Sequence, residues 1–590
     1  MLRNLPLRTT AFISALVLNL AAGPTILGAQ QSPADVPTLT IRTSTRLVVV
    51  DVVVTDKKGQ PVTGLKPEDF TVEENGKQQK VFVFVPPGVD SQRAMQALPL
   101  GVLSNHSEYL TPSGPLTVLL LDAANSPFKE QAYARSQMLK YVLEQGQSGH
   151  SMAVVTLTNQ LRVIQQFTSD PQVLMTAIKN FKPQEPILRS GIAPPGSNVP
   201  TDMSGPGAQI ASSIALAQAE IASFTNLQIG YDIERRTLIT IEAMRSLARM
   251  LGGLPGRKNV VWLTANLPFD LIPEDRTVTD AEMLADLPGQ GSQRSVVVNA
   301  AGSMAAEQRS LHGQEIREAE ARLASANIAI YPADLHGLVS GQESLAAASM
   351  AHSNDIHGAG LANAAIAQAD SLQPSQGTMR EIAAETGGKA YINQNEIKEG
   401  VALAVADDKA SYAVGYYPVN KKWDGKFRKI KVKVENRDAE VRYRKGYFAI
   451  DPTLDKNWKP EHDVLQALEF NAPATQVLFK AQAKPTDPGK MRVVFLVDAH
   501  TLTAEDSGGN NKKMNVNLYA TVWGSGDKSL VAQSIKVDKT FDAATYQQIL
   551  DHGMMVPIEM TIPAGGKELR LAVLDNKTGF IGTVSGPLGQ

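Results

Sequence analysis

The sequence holds no cysteine among its 590 residues. That absence removes a disulfide framework, a thiolate zinc site, a cysteine nucleophile and an acylated cysteine anchor. Excess charge is missing too: 57 Lys and Arg against 59 Asp and Glu leave a formal net charge of -2, and no long basic run occurs. The electrostatic footprint of a nucleic-acid or anionic-membrane binder is therefore absent, and no nucleic acid is expected as a partner. Past the N-terminus no apolar run approaches the roughly 20 residues of a membrane helix, so no transmembrane segment is expected in the mature chain. Arg3 and Arg8 precede an apolar stretch from Ala11 to Ala22 that is too short to span a bilayer. Residues 1–29 are read as a secretory signal peptide cut after Ala29, against a short buried N-terminal helix as the alternative, and the product is expected to be secreted or periplasmic.

What is present is a globular composition, with 43% hydrophobic residues, in a chain long enough to require roughly three or four cores. Residues 38–88 hold short β-branched segments separated by turns at Asp56–Gly59 and Asn75-Gly76, and are expected to form a small β-rich module. Prolines among polar residues at 86–115 suit a connection. From 115 to 410 apolar strands (PLTVLLLD, SMAVVTLTN, KNVVWLT, NIAIYPAD) alternate with helical stretches at 129–144, 171–181, 235–251 and 308–326. Strands buried on both faces and alternating with helices imply an α/β domain with a mainly parallel sheet. Stretches at about 183–230, 270–307 and 337–375 are too long for ordinary connections and are read as insertions. A β appendage is expected at 411–450, a polar linker at 452–463, and a C-terminal β-sandwich-like domain at 464–590.

The segments VVVDVVVTDKKGQPVTGLKPEDFTVEENG, LTVLLLDAANSPF, GRKNVVWLTANLPF, ANIAIYPADLHGL, MREIAAETGGKAYIN and DGKFRKIKVKVENRDAEVRYRKGYFA together resemble von Willebrand factor type A proteins. More narrowly, they resemble exported bacterial VWFA-related proteins of the acidobacterial type. The resemblance implies a Rossmann-like central domain between β-rich flanks, with a divalent cation above the sheet. In many type A domains an Asp-x-Ser-x-Ser turn, a Thr and a later Asp hold that cation, since magnesium seeks six oxygen ligands. Here the turn reads Asp122-Ala123-Ala124-Asn125-Ser126. Asp122 and Ser126 match, Ala124 replaces the middle serine, Ala265 or Asn266 stands where the later Asp belongs, and no Thr is assignable. Asp122 and Ser126 are thus the candidate metal residues of a degraded motif, with weak magnesium binding or none; the competing reading is a satisfied polar turn capping a helix.

Catalytic patterns are few. Gly149-His150-Ser151 looks like a nucleophile elbow, yet a helix precedes it and a strand follows, the reverse of what an elbow needs. His352 and His357 lack an HExxH context, Gly387-Gly388 reads as a helix stop, and Met554, Met555 and Trp523 as strand residues of a core. The expectation is a non-catalytic binding protein whose loops after Asp122, Thr158, Thr264 and Asp334 recognise a protein or an envelope ligand. The rival is a secreted hydrolase or metal-dependent enzyme with its site in the insertions. A third reading makes the β modules mere spacers of the central domain.

Overall fold

The computed structural model describes residues 47–88, 96–111, 115–145, 150–184, 231–269, 312–336, 375–394, 397–435, 439–451, 453, 456 and 458–588. The expected signal peptide, His352, His357 and nearly all of the three insertions lie outside these residues. The described chain divides into two compact units: residues 98–104 with 477 onward form one, and the remainder forms the other.

In the larger unit five strands make the central sheet: β1 (Leu116–Asp122), β2 (Ser151–Leu157), β3 (Leu161–Thr168), β4 (Lys258–Thr264) and β5 (Ile328–Asp334). Their order is β5-β4-β1-β2-β3; β3 runs antiparallel to β2 and the other pairings are parallel. The helices are α1 (Phe128–Gln145), α2 (Pro171–Asn180), α3 (231–251), α4 (312–325), α5 (375–386) and α6 (Ile397–Asp408). Strand alternation decides which helix meets which face. Val118, Leu120, Val260, Trp262 and Ile330 pack with Met244, Leu247, Leu323 and Ile382 of α3, α4 and α5. Leu119, Leu121, Val261, Leu263 and Tyr331 pack with Met138, Leu174 and Val401 of α1, α2 and α6. Every residue of β1, β2, β4 and β5 is buried, so these strands read as continuous apolar runs. Local chemistry agrees at α2, where Pro171 opens the helix and the Asp170 carboxylate accepts from the backbone N–H groups of Gln172 and Val173.

The modules expected separately at 38–88 and 411–450 are interleaved. Val48–Asp56 pairs with Ser411–Tyr416 and with Ala439–Arg442, while Phe70–Glu74 pairs with Phe427–Val434. Two four-stranded sheets result, and Val50, Val52, Val54, Phe70, Val72, Tyr412, Val414, Ile430 and Val432 share one core. A two-stranded piece is marginal alone, so each segment supplies the partner the other lacks. The Asn75-Gly76 turn is as expected, both residues having positive φ (48° and 77°).

The boundary expected at 452–463 falls later. Pro460–Glu469 is a helix with Val464, Ala467 and Leu468 buried, and Asp463 lies 3.5 Å from Arg322 of α4. Thr475 then accepts from Gly253 N–H at 2.9 Å and donates to the Met250 carbonyl at 2.8 Å, tying this segment to the end of α3. The smaller unit begins at Val477 and borrows Val102–Ser104, from the stretch expected to be a connection, as an edge strand on Phe479–Pro485. Its two sheets enclose Phe479, Phe495, Val516, Leu518, Ile558 and Leu571.

Candidate functional site at the carboxyl edge of the central sheet

Counted along the chain, the central strands lie in the order 3-2-1-4-5, so the direction of winding reverses at β1. In open α/β sheets such a reversal leaves a crevice outside the carboxyl ends of the strands, which is where ligands bind. Asp122 is the last residue of β1. The turn after it is pinned from both sides: the backbone N–H groups of Ala123 and Ala124 donate to the Leu157 carbonyl at 2.8 and 2.9 Å, and Gln131 Nε2 donates to the carbonyls of Ala123 and Ser126.

The Asp122 carboxylate is wholly buried and surrounded by donors. Oδ1 accepts from Asn125 N–H at 3.0 Å, and Oδ2 accepts from Asn125 Nδ2 at 2.9 Å, Trp262 Nε1 at 3.0 Å and Thr264 Oγ1 at 3.0 Å. Burial pushes its pKa above the usual carboxylate range, and the bonds from Asn125, Trp262 and Thr264 oppose that rise. Ser126 Oγ accepts from Ala265 N–H at 3.0 Å. The two residues singled out from sequence are therefore brought to one turn, each with its oxygen aimed at a protein donor.

These residues do not fit a magnesium ion. Three donors meet Oδ2 and one meets Oδ1, so protein groups, not a cation, face most of the carboxylate. Ala124 and Ala265, both buried, offer only methyl groups. Arg236 on α3 is buried, and burial lowers its pKa to about 10 while the charges of Asp122 and Asp232 pull it upward. Among the described residues no group of three or more His, Asp or Glu side chains could hold a metal.

Four members of this cluster escaped the sequence reading. Thr264 is a threonine that reaches Asp122, and Thr240 on α3 accepts from Asn125 Nδ2 at 3.0 Å. Trp262 was visible as the one aromatic in KNVVWLT. Arg236 and Thr240 were visible as polar residues one turn apart in a helix with an apolar face. Farther along the same edge, at the end of β5, Asp334 lies 2.7 Å from His336 Nδ1 and accepts from Gln376 Nε2 at 2.8 Å.

The opposite edge of the sheet carries a second buried polar cluster. Arg257 lies 3.8 Å from Asp51 and donates to Tyr331 Oη at 3.0 Å; Tyr331 in turn donates to Asp407, which pairs with Arg442. Burial pushes Asp408 up to about 8 and Lys258 down to about 8. Perturbed groups can mark a site, but Asp51, Arg257, Lys258 and Asp407 are all buried, and the cluster ties the interleaved β module to the α/β layer. The remaining sequence motifs have structural roles. Ser151 opens β2 fully buried with α1 ahead of it, and Gly387 (φ +76°) ends α5. Trp523 lies under Arg570 at 4.2 Å and Met554 is buried, whereas Met555, next along the same strand, faces outward.

No protein-family description and no curated protein matches the chain. Distant likenesses among solved structures include the following two. An aerotolerance-related membrane protein from Bacteroides fragilis NCTC 9343 carrying multiple mutations to serine matches at 14% identity and TM-score 0.21, over 50% of this chain and 100% of that one. An endonuclease/exonuclease/phosphatase from Beutenbergia cavernae DSM 12333 matches at 8% identity and TM-score 0.12, over 31% and 39%. At such TM-scores neither likeness carries an argument about fold or function.

Proposed function

We propose that the chain is an exported, non-catalytic binding protein whose von Willebrand type A-like central domain recognises a protein or envelope ligand through the loops at the carboxyl edge of its sheet, without a metal. The 3-2-1-4-5 strand order with an antiparallel third strand supports the type A-like reading, and two sheets around each flanking core support sandwich-like modules. The observation that carries the functional reading is the full burial of Asp122 against Asn125, Trp262 and Thr264. A carboxylate so buried among protein donors is poorly placed as general base, nucleophile or cation ligand, while the loops around it remain a recognition face. Fold by itself does not fix function, so the ligand must be found by experiment. The rival enzyme would have its site in segments outside the described residues, and no observation favours it.

The test is capture from the native envelope fraction on the immobilised mature chain, with and without EDTA. A partner retained equally under both conditions supports the proposal. Retention abolished by EDTA overturns its metal-free part, and turnover of a peptide, ester or phosphate substrate by the purified chain overturns its non-catalytic part.

A further inference from the structure

We propose that the outward face of Phe427–Val434, in the interleaved β module, binds an acidic polysaccharide, with sugar carboxylates on Lys429, Lys431 and Lys433 and a sugar ring on Phe427. This surface is separate from the recognition face at the carboxyl edge of the central sheet. It gives the β module a ligand of its own in place of a spacer's part.

Strand alternation sorts the segment into two sets. Arg428, Ile430 and Val432 are buried, whereas Lys429, Lys431 and Lys433 are all exposed. The three lysines therefore share one face at intervals of about 7 Å. Lysines on a sheet commonly guard an open edge. This strand is no edge, because it lies between Gly446–Phe448 and Phe70–Glu74. The residues opposite the three lysines are Gly446, Glu73 and Thr71, so the register supplies a single acid. Glu73 accepts from Lys433 Nζ at 2.7 Å. That bond, with the charges of Lys433 and Lys431, holds the Glu73 carboxyl below its usual range, so it is ionised at neutral pH. Among these six residues positive charge still exceeds negative, in a chain whose formal net charge is -2. Ammonium groups in one row repel one another, and a row of carboxylates relieves that repulsion.

The row begins on an aromatic. Phe427 lies on the same outward face, its ring centroid 5.1 Å from that of Phe448 in an edge-on contact. Gly446 makes room for it: a Cβ there would stand 2.4 Å from Phe427 Cζ, so the ring lies across the glycine that pairs with Lys429. The apolar face of a sugar ring packs on such a platform. One aromatic pair followed by lysines fits a polymer with a carboxylate on each sugar. Single-stranded nucleic acid instead draws on aromatics for successive bases, and its phosphates suit the arginine fork that this outward row lacks.

The experiment titrates the full chain into an end-labelled oligogalacturonate and reads fluorescence anisotropy. The carboxyl-reduced, neutral oligosaccharide and an oligodeoxythymidylate of equal charge serve as comparisons. The acidic sugar is expected to bind about tenfold or more tighter than the neutral one, with the difference fading as salt rises to roughly 0.5 M. Replacing the three lysines together (Lys429→Gln, Lys431→Gln, Lys433→Gln) should weaken it about tenfold or more. Phe427→Leu should weaken both sugars about threefold. Thermal melts check that each variant folds, and if the triple variant does not, Lys431→Gln alone decides. Wild-type affinity in the deciding lysine variant overturns the proposal, as does a wild-type chain that binds neither sugar or both alike. Unchanged affinity in Phe427→Leu overturns the sugar platform. An oligodeoxythymidylate bound more tightly than the acidic sugar, and lost in the lysine variant, makes the face a nucleic-acid site and overturns the polysaccharide. These outcomes are independent of any partner captured at the carboxyl edge.

Discussion

At the scale of single residues Asp122 sits in a buried hydrogen-bonded knot. Asn125, Trp262 and Thr264 donate to its carboxylate. Removing the acceptor would strand Trp262 Nε1 and the Asn125 N–H, each at a cost of about 1–3 kcal/mol, while Asn125 Nδ2 keeps Thr240 and Thr264 keeps the Asn266 carbonyl. Asp122→Ala is accordingly expected to lower the stability of the central domain by about 2 kcal/mol or more, measured by chemical denaturation. A loss within experimental error of zero would show that the knot is not formed in solution. For the wild-type chain, melts in millimolar magnesium and in EDTA should coincide, since a ligand below its dissociation constant adds less than about 0.4 kcal/mol. A shift of many degrees that disappears in Asp122→Asn would restore the metal.

At the scale of elements, the joint between α6, β4 and the interleaved β module holds titrating groups in a dry setting. Asp408 faces Arg257, Asp51, Asp407 and Asn259, and its pKa is held up to about 8 chiefly by burial. A carboxyl whose folded pKa is raised keeps a proton that the unfolded chain has already released. Its contribution to stability is therefore full below the ordinary value of 3.8 and is lost as pH rises toward 8. Lys258, lowered to about 8, acts in a higher window, weakening the fold below that pH and ceasing to do so above its ordinary 10.5. Urea midpoints between pH 5 and pH 8 should fall in the wild type, and the fall should shrink in Asp408→Asn. Parallel slopes in the two proteins would place the pH dependence elsewhere.

At the scale of the whole molecule, connectivity produced the largest departures from the sequence reading. Deleting residues 47–88 would expose the edges of Ser411–Tyr416 and Phe427–Val434 together with Tyr412, Val414, Ile430 and Val432. Open apolar edges of this kind associate, so the truncated chain should aggregate or bind a hydrophobic dye, whereas two independent modules would leave it soluble. The alternating apolar strands and helices, the Asn75-Gly76 turn, the helix stop at Gly387 and the polar turn after Asp122 were all legible in the sequence, because each depends on residues adjacent in the chain. The pairing of Val48–Asp56 with Ser411–Tyr416, the loan of Val102–Ser104 to the C-terminal unit and the approach of Thr240 and Arg236 to Asp122 were not. Those contacts join residues tens to hundreds of positions apart, and no local spacing encodes which open strand edge or buried donor will meet which. The sequence by itself determined the kinds of element; only the tertiary structure decided which donors, from other strands and the turn itself, came to meet Asp122.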